Sequence, residues 1–288
     1  MTEVLSQKAG SDSDKKERLL IQGLSGKRSL RGSISVRGAK NAALKALAGA
    51  ILFEDELTLW NVPSIEDITS LLSILKELGV SVKKKGESAC SLRAGKGIKT
   101  HLSPPLAKRL RASIVLTGPL LARYGKVSFP HPGGCVIGAR PIDIFIDGFT
   151  KMGATVKEDG DSYEVVAPTG GLRGAELLFK NPSVTATETL MMAGVLAKGK
   201  TILKNAAREP EIKILADFLN ECGAEIQGAG TTTIEIKGGG LLHARQSAIV
   251  PAPRRRVGHA DRGRRPPRAG GPAAAQAQGQ VQGRLRPD

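Results

Sequence analysis

Aromatic residues make up only 3% of these 288 residues: one tryptophan, two tyrosines and six phenylalanines. A hydrophobic content of 40% still allows a core, which must therefore rest on Leu, Ile, Val and Ala. The same scarcity removes the aromatic platforms on which single-stranded nucleic acids stack. Cysteine is as sparse. Cys90, Cys135 and Cys222 are odd in number, widely separated and without metal-ligand spacing, which argues against a disulfide framework or zinc cluster and for a reducing compartment. There is no run of about 18 apolar residues and no apolar signal core at the N-terminus, so neither a membrane span nor secretion is expected. The expectation is a cytoplasmic protein without a membrane partner.

Charge is abundant and uneven. The net charge is +16, but residues 251–288 hold nine arginines against Asp261 and Asp288, so this stretch carries +7 and the first 250 residues carry +9. A body at that level suits anionic small substrates better than a duplex-binding face, and no nucleic-acid partner is expected. The last lysine is Lys237, and beyond Ile249 there is no Ile, Phe, Tyr or Trp. Residues 241–288 therefore read as an aberrant, basic, disordered tail that can bury no core. Its Arg, Pro, Gly and Ala are what GC-rich codons yield, and a reading-frame shift near 249–251 is the simplest expectation.

Between these ends the chain repeats itself. Residues 1–17 are polar and apolar-poor, a flexible extension, and 18–23 and 32–36 read as short strands within a segment 18–39. Leu75-Lys76-Glu77-Leu78-Gly79-Val80-Ser81-Val82 is echoed at 149–156 and again at 219–226, with glycines at 79, 153 and 223. Each echo follows a proline expected to start an amphipathic helix, Pro63, Pro141 or Pro210. Upstream of each lies an Ala/Leu-rich helix (42–53, 112–123, 186–197) followed by a strand (57–60, 126–129, 200–203). Three units of about 70 residues thus fill 40–240, an α/β arrangement of three lobes around a shared core.

One loop looks chemical. Pro130-His131-Pro132-Gly133-Gly134-Cys135-Val136-Ile137-Gly138-Ala139-Arg140-Pro141 is too rich in glycine and proline for a helix or strand. Successive glycine amides can cradle an anion, and Arg140 is placed to lower the Cys135 thiol pKa. The residues alone leave open a turn whose cysteine is merely small and apolar.

Gly38-Ala39-Lys40-Asn41-Ala42-Ala43-Leu44, Arg111-Ala112-Ser113-Ile114, the cysteine loop, and Asn205-Ala206-Ala207-Arg208-Glu209-Pro210-Glu211-Ile212 occur in this order. Together they resemble the UDP-N-acetylglucosamine 1-carboxyvinyltransferases, the enolpyruvyl transferases of peptidoglycan synthesis, over about residues 19–240. The resemblance implies enolpyruvyl transfer from phosphoenolpyruvate to the sugar 3′-hydroxyl, with phosphate released and no metal or organic cofactor. It implies an inside-out α/β barrel domain of three βαβαββ units, here 40–240, plus a fragment of a second such domain that includes 18–39. Cys135 would be the proton donor, able to form a covalent adduct with phosphoenolpyruvate. Lys40, with Asn41 beside it, would bind phosphoenolpyruvate. Arg111, Arg140, Pro141, Ile142, Asp143 and Ile144 would contact the UDP-sugar, Arg140 also lying near the transferred phosphate. Asn181, Pro182, Ser183 and Val184 would hold the uridine part.

A cation at Lys40 opposes the helix dipole, which is better explained by an anion. Without the motif, Arg111 and Arg123 read as solvated helix-face residues, Glu209 and Glu211 as helix-start acids, and Cys90 and Cys222 as structural. Lys45 stands where proline is usual, expected to lengthen the helix without touching the site. Phe145 stands where some members have histidine, and Asn181 where lysine is common. The family continues well beyond residue 250, carrying its aspartate base and further arginines there, so the chain reads as truncated or frameshifted after about residue 245. Two alternatives stand beside the transferase: a non-catalytic remnant that at most binds UDP-sugar, and a shikimate-pathway enolpyruvyl transferase, which lacks the GAKNAA opening and the PGGC loop.

Overall fold

The computed structural model describes residues 37–105, 110–131, 142–244 and 248–250. They belong to one compact unit, Arg37–Pro253; the other unit, Met1–Val36 with Arg254–Asp288, lies outside the described residues. So do the expected extension, the strands at 18–23 and 32–36, and the cysteine loop from 132 to 141.

The elements run in three similar passes. The first is α1 (Lys40–Gly49), the 3₁₀ turn Ala50–Leu52, β1 (Leu57–Trp60), α2 (Glu66–Leu78), β2 (Ser81–Lys84) and β3 (Ala89–Arg93). The second is the 3₁₀ turn Arg111–Leu116, α3 (Thr117–Tyr124), β4 (Lys126–Pro130), α4 (Asp143–Lys151), β5 (Thr155–Asp159) and β6 (Ser162–Val166). The third is β7 (Glu176–Leu178), α5 (Val184–Val195), β8 (Lys200–Lys204), α6 (Pro210–Glu221), β9 (Glu225–Gln227) and β10 (Thr233–Lys237). β11 (Ala248–Ile249) follows.

The repeated glycines do one job three times. Gly79, Gly153 and Gly223 have φ of +96°, +90° and +106°, the left-handed conformation that ends a helix and that only glycine adopts freely. The chain then turns into an antiparallel strand pair each time. The prolines are less uniform. Pro210 occupies the first position of α6, but α2 begins at Glu66 and α4 at Asp143. The helix expected over 112–123 is divided as well. A continuous helix would set the Pro119 ring against the carbonyl one turn back, and the chain instead makes a 3₁₀ turn before α3 opens at Thr117.

The sheets share one order. β7-β8-β10-β9 has β7 parallel to β8 and the other neighbours antiparallel. β11-β1-β3-β2 repeats it, with β11 in the parallel edge position. In β4-β6-β5 that edge is taken by a bridge, His101 to Ser128, also parallel. The third sheet draws its parallel strand from its own unit, whereas the first takes it from the far end of the described chain.

Contacts of this unit run past residues 40 and 240 at both ends. Within the segment expected as a tail, Leu242 pairs with Phe53, and Leu242 and Val250 are both buried. At the other end Gly38 already belongs to the unit. Its N–H donates to Asn61 Oδ1 (3.2 Å), while Asn61 Nδ2 donates to the Val250 carbonyl (2.9 Å). One asparagine, itself at φ +58°, therefore ties residue 38 to residue 250. A Cβ on Gly38 would overlap the Asn61 carbonyl oxygen, which explains the glycine that opens the GAKN run.

Helices lie inside and sheets outside. α5 is buried along 186–195, and α1 along 42–49, the mark of helices with no solvent face. The sheets bury one side and carry Lys–Glu pairs on the other, Lys200–Glu235 and Lys237–Glu225 among them. α3 and α5 cross so closely that a Cβ on Gly118 would meet the Thr189 carbonyl oxygen of α5. Gly118→Ala should therefore cost about 2–3 kcal/mol by forcing the two helices apart, read as a lower denaturant midpoint. An unchanged midpoint would mean that the crossing can relax.

Candidate functional site

Lys40 is the first residue of α1, a helix with no acid in its first turn and no side-chain N-cap. Its ammonium instead pairs with Asp67, in the first turn of α2. Asn41 Nδ2 donates to Glu211 Oε1 (2.9 Å) in the first turn of α6. Three helix N-termini thus meet at Lys40 and Asn41, each with unpaired N–H groups and a positive dipole end. Asp67 and Glu211 answer that potential, so Glu211 is a helix-start acid and also the partner of Asn41.

Ser183 caps α5, its hydroxyl accepting from the Ala186 N–H (3.3 Å). Asn181 and Pro182 are exposed just ahead of it, and Ser183 and Val184 are half-buried. The 205–211 stretch is pinned to the same helix: Thr187 Oγ1 accepts from the Ala207 N–H (3.1 Å), while Asn205, at φ +56°, donates to the Phe179 carbonyl (2.9 Å). On α4, Asp143 is exposed, Ile142 and Ile144 are half-buried against the core, and Phe145 is buried. α4 packs on α5, and α1 packs on α6.

Cys135, Arg140 and Pro141 lie outside the described residues, and Arg111 is described only as the first residue of its 3₁₀ turn. The flanks of the cysteine loop are described. His131 stacks on Tyr163 with ring centroids 4.4 Å apart, and its Nε2 lies 3.2 Å from Glu158 Oε1. The Tyr163 hydroxyl is pushed up by loss of solvent, by Glu158 and by Asp143 on the far side of the loop. Tyr163 thus stands between the strand that enters the loop and the helix that leaves it. Sequence reading missed it, since a lone tyrosine on a strand carries no signal.

It also missed a buried ion pair. Lys45 Nζ lies 2.8 Å from Glu188 Oε2, with side chains 8% and 0% exposed. Among the described residues, Lys45 is the partner of this carboxylate. Burial pushes Glu188 up to about 7; Lys45 opposes this, and Glu211 and Glu209 add to it. The sequence did hold a signal, an acid inside the otherwise uncharged helix VTATETLMMAGV. Lys45 therefore does more than lengthen α1. Nor is Arg123 a solvated helix-face residue: Nη1 donates to the carbonyls of Ile51 (2.6 Å) and Phe53 (2.7 Å), and Nη2 to that of Ala94 (3.0 Å). Cys90 and Cys222 are buried, and desolvation raises the Cys90 thiol to about 11, which keeps it unreactive near neutrality. Among the described residues no cluster of His, Cys, Asp and Glu could hold a metal ion, and no helix is long and apolar enough to cross a membrane.

The described unit thus joins a three-pass, inside-out architecture to a lysine and an asparagine at the meeting of three helix starts. The sequence model of EPSP synthase (3-phosphoshikimate 1-carboxyvinyltransferase) matches residues 24–253. The chain belongs to the EPSP synthase family. Within it the chain is 46% identical, over 235 residues, to a UDP-N-acetylglucosamine 1-carboxyvinyltransferase of Rhodospirillum centenum (strain ATCC 51521 / SW), covering 78% of this chain and 54% of that one. It is 42% identical over 236 residues to the enzyme of the same name from Endomicrobium trichonymphae, covering 82% and 55%. The chain spans about half the length of the curated relatives it matches. Two solved structures share the fold. The enolpyruvyl transferase NikO from Streptomyces tendae has a TM-score of 0.66 at 21% identity, covering 79% of this chain and 53% of that one. EPSP synthase from Acinetobacter baumannii has a TM-score of 0.62 at 19% identity, covering 79% and 51%. Both match the expected enolpyruvyl-transferase architecture, and the EPSP synthase family is a family of carboxyvinyl transferases.

Proposed function

We propose that this chain carries the substrate-binding domain of a UDP-N-acetylglucosamine 1-carboxyvinyltransferase. In this reading the enolpyruvyl group of phosphoenolpyruvate passes to the sugar 3′-hydroxyl and phosphate leaves, in the cytoplasm, as the first committed step of peptidoglycan synthesis. The observation that carries it is the Lys40–Asn41 turn at three helix N-termini, within a chain 46% identical to an enzyme of that name. Helix N-termini favour anions, and an ammonium adds a point charge for a phosphate or carboxylate. Lys40 and Asn41 receive phosphoenolpyruvate, which takes the place of Asp67 on the Lys40 ammonium. Arg111, Arg140 and residues 141–144 contact the UDP-sugar, with Arg140 also near the leaving phosphate, and residues 181–184 hold the uridine end. Cys135 delivers a proton to the methylene carbon of the enol, and the cations stabilise the charged tetrahedral intermediate. Closure of the cysteine loop keeps water from that intermediate.

The test is phosphate release from phosphoenolpyruvate by the full chain. It should depend on UDP-N-acetylglucosamine and fall by at least about 100-fold in Cys135→Ala, as loss of a general acid does. A second reading is a domain that binds UDP-sugar without turnover. Saturable UDP-sugar binding with no phosphate release would select it. Neither binding nor release would sink both.

A further inference from the structure

Glu188 is a carboxylate in the core that the proposed chemistry leaves unused. It sits on α5 with no exposed surface, and among the described residues its partner is the Lys45 ammonium, 2.8 Å from Oε2. Lys45 stands on α1 five residues from Lys40. Among the described elements packed around it, the charged groups that act on Glu188 are Lys45 on α1, Glu211 on α6 and Glu209 just before α6; α3, α4, β8, β10 and the 3₁₀ turn that opens at Arg111 also pack on α5, chiefly through apolar core side chains, with the buried Thr201 hydroxyl on β8. Glu211 is also the hydrogen-bond partner of Asn41. One side of the network thus grips the body of α1 and the other grips its first turn.

We propose that Glu188, acting through Lys45, is a positioning residue for the Lys40–Asn41 turn, and that an anion bound at that turn draws a proton from solvent onto the Glu188 carboxylate. The proposal rests on the reading of Lys40 as the phosphoenolpyruvate ligand. The physical reason is proximity in a medium of low dielectric. Glu209 and Glu211 already disfavour the charged form of Glu188; a further anion beside Glu211 disfavours it more. By linkage, whatever favours proton uptake on binding makes binding tighter as pH falls.

The experiment is calorimetric titration of the full chain with phosphoenolpyruvate, in two buffers of different ionisation enthalpy. Wild type should take up a fraction of a proton near pH 7.5 and bind roughly threefold more tightly at about pH 6.5 than at about pH 8. Glu188→Gln should bind several-fold more weakly, with the extra uptake and the pH slope gone. Because Glu188→Gln strands a buried lysine and so lowers stability, Lys45→Met/Glu188→Met, which leaves no buried charge, is the second variant. It should show the same flat profile. The ligand's own phosphate ionisation, near pH 6, is common to all variants and cancels in the difference. Variants that keep wild-type affinity and slope, while Lys40→Ala fails to bind, would overturn the role of Glu188 and leave the site standing. Lys40→Ala binding as well as wild type, or no binding by wild type, would overturn the site and the proposal together.

Discussion

Glu188→Gln should be among the most destabilising single changes in the described unit, by about 3–5 kcal/mol at pH 8, because it leaves the Lys45 ammonium buried without a counter-charge. Both side chains are almost fully inaccessible and 2.8 Å apart, so the lost partner cannot be replaced by water without opening the core. Lys45→Met should cost less, and less still on acidification, since the stranded carboxylate can take up a proton. The double change Lys45→Met/Glu188→Met should recover most of the loss, as apolar replacements of buried ion pairs do. Wild type should show its own pH dependence. The folded Glu188 is pushed up to about 7 from an ordinary 4.5, so between those values the native state holds more protons than the unfolded chain. The contribution is then fully present below about pH 4.5 and is lost as pH rises through about 7, on the order of 3 kcal/mol in all. Urea midpoints between pH 5 and 8 should therefore rise on acidification in wild type and lose that component in the double variant. A parallel pH slope in both would show that Glu188 is ionised throughout.

Arg123→Met should cost about 3–5 kcal/mol, since three carbonyl oxygens lose a charged donor at once. Two of them, on Ile51 and Phe53, belong to residues with no exposed surface, and the third is on Ala94 at 2%. The guanidinium closes the C-terminal end of the first helical pass, where Ile51 and Leu52 leave the 3₁₀ turn for Phe53, and it joins that end to the exit of β3. Arg123→Lys should recover only part of the loss, because a single ammonium cannot span three acceptors as the planar fork does. The route by which the prediction fails is visible: Arg123 also lines an open cleft with Arg93, Gly95 and Tyr124. If water enters there and bonds the carbonyls, the denaturation midpoint of Arg123→Met will stay within about 1 kcal/mol of wild type.

Much of the architecture could be read along the chain, for reasons that are local. Gly79, Gly153 and Gly223 announce themselves because a helix that must end in the left-handed conformation has one residue suited to it, whatever surrounds it. β1 was expected at 57–60 and is found there, since alternation and flanking polar residues set a short strand without outside help. The same local logic misled at α3, where an Ala/Leu-rich stretch looked continuous and Pro119 divided it. After Gly240 composition changes, yet Leu242 and Val250 still find buried seats.

The candidate site divides along the same line. Lys40 and Asn41 stood out because four motifs in order are recognisable, and a cation at a helix start calls for an anion. Asp67, Glu211 and Tyr163 did not stand out as neighbours, because each comes from another helix or strand, and their distances are set by packing rather than spacing. Lys45 and Glu188 show this most clearly. Each looks like an ordinary charged residue in its own helix, separated by 143 positions in the chain, and only the crossing of buried helices makes them one another's counter-ion.

The sequence by itself determined what depends on neighbours in the chain: three helix–strand–helix–hairpin passes, the turns that close them, and the motifs that place this chain in its family. Tertiary structure alone decided what depends on long-range pairing. It chose β11, at the far end of the described residues, as the parallel edge of the first sheet, and made Asn61 the clasp between Gly38 and Val250. It also buried a lysine and a glutamate together beneath the Lys40 turn. Those choices follow from close packing and from the need of every buried polar group for a partner, and neither requirement is written in any one stretch of chain.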